Sequence, residues 1–95
     1  MADYFARVEL HGAKWPDDYA VLHKALAQHG FTNCVLTGDG GNLRLPTGFY
    51  YSTNRIDDNT RVATAVKACA DSTGYKNEVI VVNSTGWYGF LNYAC

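Results

Sequence analysis

Two side chains near the start of the chain, Arg7 and His11, could together act on RNA. Metal-free RNA cleavage needs a base for the 2′ hydroxyl proton, an acid for the leaving oxygen and a cation at the crowded phosphate. Histidine and arginine supply these roles near neutral pH. Four residues of extended chain span about 13 Å, so we expect Arg7 and His11 to contact successive nucleotides rather than one phosphate. The alternative is an ordinary polar surface, with Arg7 paired to Glu9 or to an acid on another strand.

Motifs for other chemistry are missing from the sequence. It has no Cys-x-x-Cys, His-x-x-x-His or His-Glu-x-x-His spacing and no phosphate-binding glycine loop, so we expect no dedicated metal site and no cofactor. The three cysteines, Cys34, Cys69 and Cys95, are an odd number at wide spacings. This argues against a disulfide framework and favours a reducing compartment. We therefore interpret Cys34 and Cys69 as packing residues. We interpret the acid pairs at 17–18 and 57–58 as helix caps.

Aromatic side chains offer a way to hold bases. Phe5 lies on the same side of its strand as Arg7, and residues 48–51 read Gly-Phe-Tyr-Tyr. The usual RNA-recognition pattern has a basic residue before that glycine and Gly or Ala after the first ring, and this chain has neither. One hypothesis is that Phe5 and one ring of this segment, for which we choose Tyr50, stack on a base. The two alternatives are that these rings pack at the edge of the sheet or form a dimer interface.

The elements that must position these residues follow from periodicity. Clean alternation predicts strand 1 at 4–11, and strands 2 and 4 are predicted at 32–37 and 78–83. A turn at 38–42 leads to a third extended segment, 43–53. Within it we place strand 3 at 48–52, because Pro46 has no amide to donate to a strand ladder. Helix 1 runs from Pro16 to about His29 and is capped by Gly30-Phe31, and helix 2 opens at 57–59 and ends at Gly74.

This order of elements predicts an α+β fold of the ferredoxin-like, split βαβ type. Both helices would cover one face of a four-stranded antiparallel sheet. The other face would stay open and present Phe5, Arg7, Glu9 and His11. The last segment, 84–95, is rich in glycine and aromatic residues, and we expect it to cover an edge or an end of the sheet.

Length and charge limit the classes of function. With 95 residues and a formal net charge of −1, the chain fits one small domain, 1–95, without the broad positive field that holds polyanions nonspecifically. Its longest aliphatic run, at 79–82, is far shorter than the roughly 20 residues that span a bilayer. Residues 1–4 lack the basic start and apolar stretch of a signal peptide. We expect a cytoplasmic protein without membrane contact.

A family resemblance rests on short marks spread over nearly the whole chain. They are Arg7-Val8-Glu9-Leu10-His11, Asp18-Tyr19 with Leu22-His23, Gly30-Phe31, and Leu45-Pro46-Thr47 followed by Tyr51. With these the chain resembles the GhoS-like family, which comprises the antitoxin of a type V toxin-antitoxin system and small bacterial relatives. The resemblance implies a ferredoxin-like fold related to that of the CRISPR spacer-integration nuclease. For the antitoxin itself it implies a sequence-selective endoribonuclease that cuts the toxin's messenger.

Two functions follow as hypotheses. The first is a GhoS-like protein that acts on single-stranded RNA such as a toxin mRNA, including metal-independent cleavage. In it Arg7 and His11 are phosphate contacts or proton carriers, and Phe5 or Tyr50 stacks a base. The second is a noncatalytic interaction module that pairs its open face or an edge strand with a second copy or another protein. Salt separates them, because RNA binding weakens as salt rises and an apolar dimer persists.

Overall fold

The computed structural model describes residues 1–14, 17–36 and 41–95, which form two antiparallel sheets and two helices. The elements in chain order are β1 (Ala2–Leu10), a 3-10 helix (Asp17–Tyr19), α1 (Ala20–Ala27), β2 (Cys34–Leu36), β3 (Asn42–Arg44), β4 (Phe49–Arg55), α2 (Asn59–Asp71) and β5 (Asn77–Ser84). The larger sheet has the order β4-β1-β5, and β2 pairs with β3 in a separate two-stranded sheet. The predicted α+β class is confirmed. No helix in the described ranges has the length and apolar character needed to cross a membrane.

The central strand β1 follows the predicted alternation. Its inward side chains are all buried and belong to the core: Tyr4, Ala6, Val8 and Leu10. Both helices contribute to this same core, through Leu22 and Leu26 of α1 and Val62, Val66 and Cys69 of α2. The helices therefore cover one face of the larger sheet and leave the opposite face open, as expected.

The prediction of a single four-stranded sheet is wrong. The third extended segment is broken at Pro46, where the amide of Phe49 donates to the carbonyl of Pro46 at 3.0 Å. Proline has no amide to continue a ladder, so β3 on one side of the break joins β2 and β4 on the other side joins β1. Thr32 and Tyr51 form an isolated antiparallel bridge, through reciprocal bonds of 2.9 and 2.8 Å.

The helix ends use local signals. Asp58 caps α2, since its carboxylate accepts from the amide of Arg61 at 2.9 Å. After α1, Gly30 has a φ of +82°, and the amide of Phe31 donates to the carbonyl of Leu26 at 3.0 Å. This is the predicted left-handed end. The predicted helix start at Pro16 and most of the predicted turn at 38–42 lie outside the described residues.

Gly48 sets how closely β4 approaches β1. Its φ is +81°, its carbonyl accepts from the amide of Val8 at 2.8 Å, and a Cβ at this position would collide with the carbonyl oxygen of Val8. Only glycine tolerates both the backbone conformation and the contact. The next residue, Phe49, is thereby paired with Arg7.

The segment after β5 returns to the small sheet. Ala94 bridges to Leu43, and the amide of Arg44 donates to the carbonyl of Tyr93 at 2.8 Å. A disulfide joins Cys34 of β2 to Cys95. The prediction that the cysteines form no disulfide is wrong. The number of cysteines therefore no longer supports a reducing compartment. Cys69 is buried and free, as predicted for a packing residue.

Candidate functional site on the open sheet face

The open face is the side of the larger sheet that points away from the helices. Its outward side chains include Phe49 and Tyr51 of β4, Phe5, Arg7 and Glu9 of β1, His11 directly after β1, and Glu78, Ile80 and Val82 of β5. The side chains of Arg7 and His11 are 55% and 44% exposed. Neither lies beneath a helix or beneath the C-terminal segment, so both are accessible to a ligand.

Arg7 occupies the middle of the open face. Its guanidinium carbon lies 5.6 Å from the ring centroid of Phe49, its partner across the strands. Its Nη2 is 3.9 Å from Oε2 of Glu9, so the pair expected as the ordinary alternative is present. At this exposure and distance such a pair contributes little free energy. The guanidinium therefore keeps donors available for a phosphate oxygen.

His11 lies between two carboxylates at one end of the face. Its Nδ1 is 3.8 Å from Oε1 of Glu9, and its Nε2 is 3.5 Å from Oε2 of Glu78. Glu9 and Glu78 stand directly opposite each other in the pairing of β1 with β5. Sequence reasoning missed Glu78, since nothing local to residue 78 indicates which residue of β1 it will face.

An aromatic cluster of Phe5, Tyr51 and Trp87 occupies the other end. The rings of Phe5 and Tyr51 are 4.4 Å apart between centroids and tilted by 30°, and Trp87 contacts them edge-on at 5.8 and 6.4 Å. The Tyr51 hydroxyl donates to Oδ2 of Asp3 at 3.2 Å, and burial together with that carboxylate raises the pKa of Tyr51. Trp87 remains 41% exposed and can offer a ring surface to a ligand.

The choice of Tyr50 as the base-stacking residue is contradicted by the structure. Tyr50 is 1% exposed and points into the core, where its ring contacts that of His23 at 5.3 Å. Its hydroxyl has no hydrogen-bond partner among the described residues, and burial raises its pKa. Neighbouring residues of a strand point to opposite faces, so Phe49 and Tyr51 are the rings of this segment that face outward. Phe5 does lie on the open face, half-buried in the aromatic cluster.

A depression of about 420 Å³ lies between the two ends of the face. It is lined by Arg7, Glu9, Glu78, Val79 and Ile80. Its walls include one cation and two carboxylates, so the site is not uniformly positive. Its positive charge is supplied by Arg7.

Comparison with protein-family models and with curated proteins finds no match to the chain. The residues from which a resemblance to the GhoS-like family is expected lie partly in the core and partly on the surface. Val8, Leu10 and Leu22 are buried, whereas Arg7 and His11 are exposed on the open face. The buried positions are relevant to the fold, and the exposed positions are relevant to a candidate site.

Proposed function

We propose that this chain is a GhoS-like protein that binds single-stranded RNA on its open face. The observation that carries the proposal is that Arg7 adjoins the aromatic cluster on one exposed surface. Proteins hold single strands by stacking bases on aromatic rings and by placing cations along the backbone. Phe5 and Arg7 are two residues apart on one strand, about 6.7 Å, so one base and a neighbouring phosphate can be held together.

We also propose that the fold is of the ferredoxin-like type, with its fourth strand reduced. The order β4-β1-β5 and the two helices on one face supply most of the split βαβ arrangement. The bridge between Thr32 and Tyr51 supports the remainder, because it places the segment before β2 beside β4. The missing strand of the larger sheet would lie at this edge.

Cleavage is the narrower part of the proposal, and it needs no metal. His11 takes the proton of the 2′ hydroxyl as the bond from the 2′ oxygen to phosphorus forms, the bond to the 5′ oxygen breaks and that oxygen takes a proton from water, while Arg7 is the cation that stabilises the phosphate. Both side chains lie within 4 Å of the carboxylate of Glu9, on its two separate oxygens. Both groups thus adjoin one carboxylate, and this proximity supports their action on neighbouring groups of one RNA strand.

The test of binding is fluorescence anisotropy with a short labelled single-stranded RNA, measured over a salt series for the wild type, Arg7→Ala and Arg61→Ala. Arg61 is exposed on α2, away from the open face, and is the matched control. We expect the wild type and Arg61→Ala to bind alike. Arg7→Ala should bind more weakly and lose about one unit of the salt slope. No binding by the wild type at low salt, or equal binding by Arg7→Ala, would refute the proposal.

A second candidate, self-association, is favoured by a different part of the same face. Ile80 and Val82 on β5 are 66% and 53% exposed, and β5 is an edge strand of its sheet. Exposed aliphatic side chains on an edge strand are a route to pairing between copies. Sedimentation over the same salt series distinguishes the candidates, since a dimer formed through Ile80 persists at high salt and is lost in Ile80→Lys.

A further inference from the structure

We propose that Glu9, His11 and Glu78 bind a divalent transition-metal ion, for which zinc is the best match. One ligand atom from each residue lies within 4.8 Å of the others. Imidazole nitrogen with carboxylate oxygen suits zinc and its neighbours among the transition metals, whereas calcium and magnesium prefer sites built entirely from oxygen. This site is independent of RNA binding by Arg7 and the aromatic cluster, but it shares Glu9 and His11 with the proposed cleavage, so a bound ion would take His11 away from proton transfer.

The geometry needs little rearrangement to accept the ion. Zinc ligands at about 2.0–2.2 Å in a tetrahedron are separated from one another by about 3.3–3.6 Å. The Nε2 of His11 and Oε2 of Glu78 are 3.5 Å apart, already at that spacing. The Glu9 carboxylate lies 3.8 Å from the other ring nitrogen, Nδ1, and must turn toward Nε2 to supply the third ligand.

The backbone that presents the three ligands is fixed by paired strands. Glu9 and Glu78 are direct partners in the antiparallel pairing of β1 with β5. Immediately beyond them, the amide of His11 donates to the carbonyl of Lys76 at 2.7 Å. The ligands are therefore held on one face of a continuous ladder, which lowers the entropy lost when the ion binds.

The charges of the two carboxylates also favour a bound dication. Like charges placed directly opposite on neighbouring strands repel and destabilise the pairing. Glu9 and Glu78 are placed in this way, and the side chain between them is an imidazole, a strong transition-metal ligand. A dication would remove the repulsion and use both carboxylates. Three protein ligands also leave a fourth position for water, the arrangement of zinc sites that are open to a substrate.

The experiment is calorimetric titration of the oxidised, metal-free protein with zinc alone. Two variants each remove one ligand, His11→Ala and Glu78→Gln, and His29→Ala is the control because His29 is exposed on a different part of the surface. Circular dichroism establishes that each variant is folded. We expect one zinc ion per wild-type chain, unchanged binding in His29→Ala, and affinity lower by at least about tenfold in each ligand variant.

X-ray absorption of the zinc complex supplies a second readout, with a first shell of one imidazole nitrogen and carboxylate or water oxygens expected. The proposal is overturned if the wild type binds no zinc, if both ligand variants bind as the wild type does, or if the first shell contains sulfur. Because Glu78→Gln is nearly isosteric, it decides the matter even if His11→Ala fails to fold.

Discussion

The indole of Trp87 packs edge-on against the ring of Phe5, with the ring centroids 5.8 Å apart. This contact joins the segment after β5 to the middle of the sheet. It also adds a ring to the face on which Arg7 lies. The surface that we propose for RNA is therefore built from parts of the chain that are far apart in sequence.

Substitution of Trp87 by alanine should weaken RNA binding by about 1–3 kcal/mol, the usual contribution of one base stacked on a ring. Tyr88→Ala is the matched control, because Tyr88 is next in sequence and its ring contacts Phe90 rather than the aromatic cluster. Anisotropy titrations of both variants make the comparison. Equal losses of binding free energy in the two variants would mean that the bases contact the aromatic residues of the segment after β5 in general, and not the aromatic cluster in particular.

Substitution of Tyr50 by phenylalanine should leave RNA binding unchanged. The unfolding free energy should stay within about 1 kcal/mol of the wild type or rise, since the buried hydroxyl lacks a partner among the described residues and its removal leaves no donor unpaired. Tyr50→Ala should instead lose about 3–5 kcal/mol through the cavity it creates. Urea unfolding measures both variants. A marked loss of stability in Tyr50→Phe would show that the hydroxyl is bonded in solution.

Local patterns identified both helices and β1, although α1 (Ala20–Ala27) is shorter than the predicted helix. The alternation at 4–11 identified the buried side of β1, and the acidic residues at 57–58 identified the start of α2. The cap formed by Asp58 and the left-handed Gly30 were also readable, because each acts on residues no more than a few positions away. The division of the strands into two sheets could not be predicted from local patterns, since it depends on how the chain turns after Pro46.

The site was predictable only where a single strand determines it. Alternation placed Phe5 and Arg7 on the open face, whereas the choice among the rings at 49–51 needed the register of β4 against β1. That register depends on the contact of Gly48 with Val8. Glu78 and Trp87 reach the face through long-range pairing and packing, for which sequence spacing provides no signal.

Reduction of the bond between Cys34 and Cys95 should lower the unfolding free energy by about 2–4 kcal/mol, because the link closes a long loop in the unfolded chain. The two cysteines are separated by 61 positions. Urea unfolding with and without reductant measures the effect. The variant Cys95→Ser should show the lower stability under both conditions. Titration of three thiols in the denatured, unreduced wild type would contradict the disulfide.

The stability of the protein should fall as the pH drops below about 6.5 through the contribution of His23. Burial lowers the pKa of His23 from 6.5, so the unfolded chain takes up this proton at a higher pH than the folded chain does. Protonation then favours unfolding, and the contribution is complete only above the unfolded pKa. His23→Leu should flatten the fall measured by urea unfolding between pH about 7.5 and about 5.5. His29→Ala, with an exposed imidazole, should retain it.

The strand β1 and the residue that follows it carry side chains at both ends and in the middle of the open face. Phe5, Arg7 and Glu9 follow one another at two-residue steps along β1, and His11 continues the series. Each step is about 6.7 Å of nearly inextensible backbone. Insertions or deletions in any connecting loop would therefore leave these intervals unchanged.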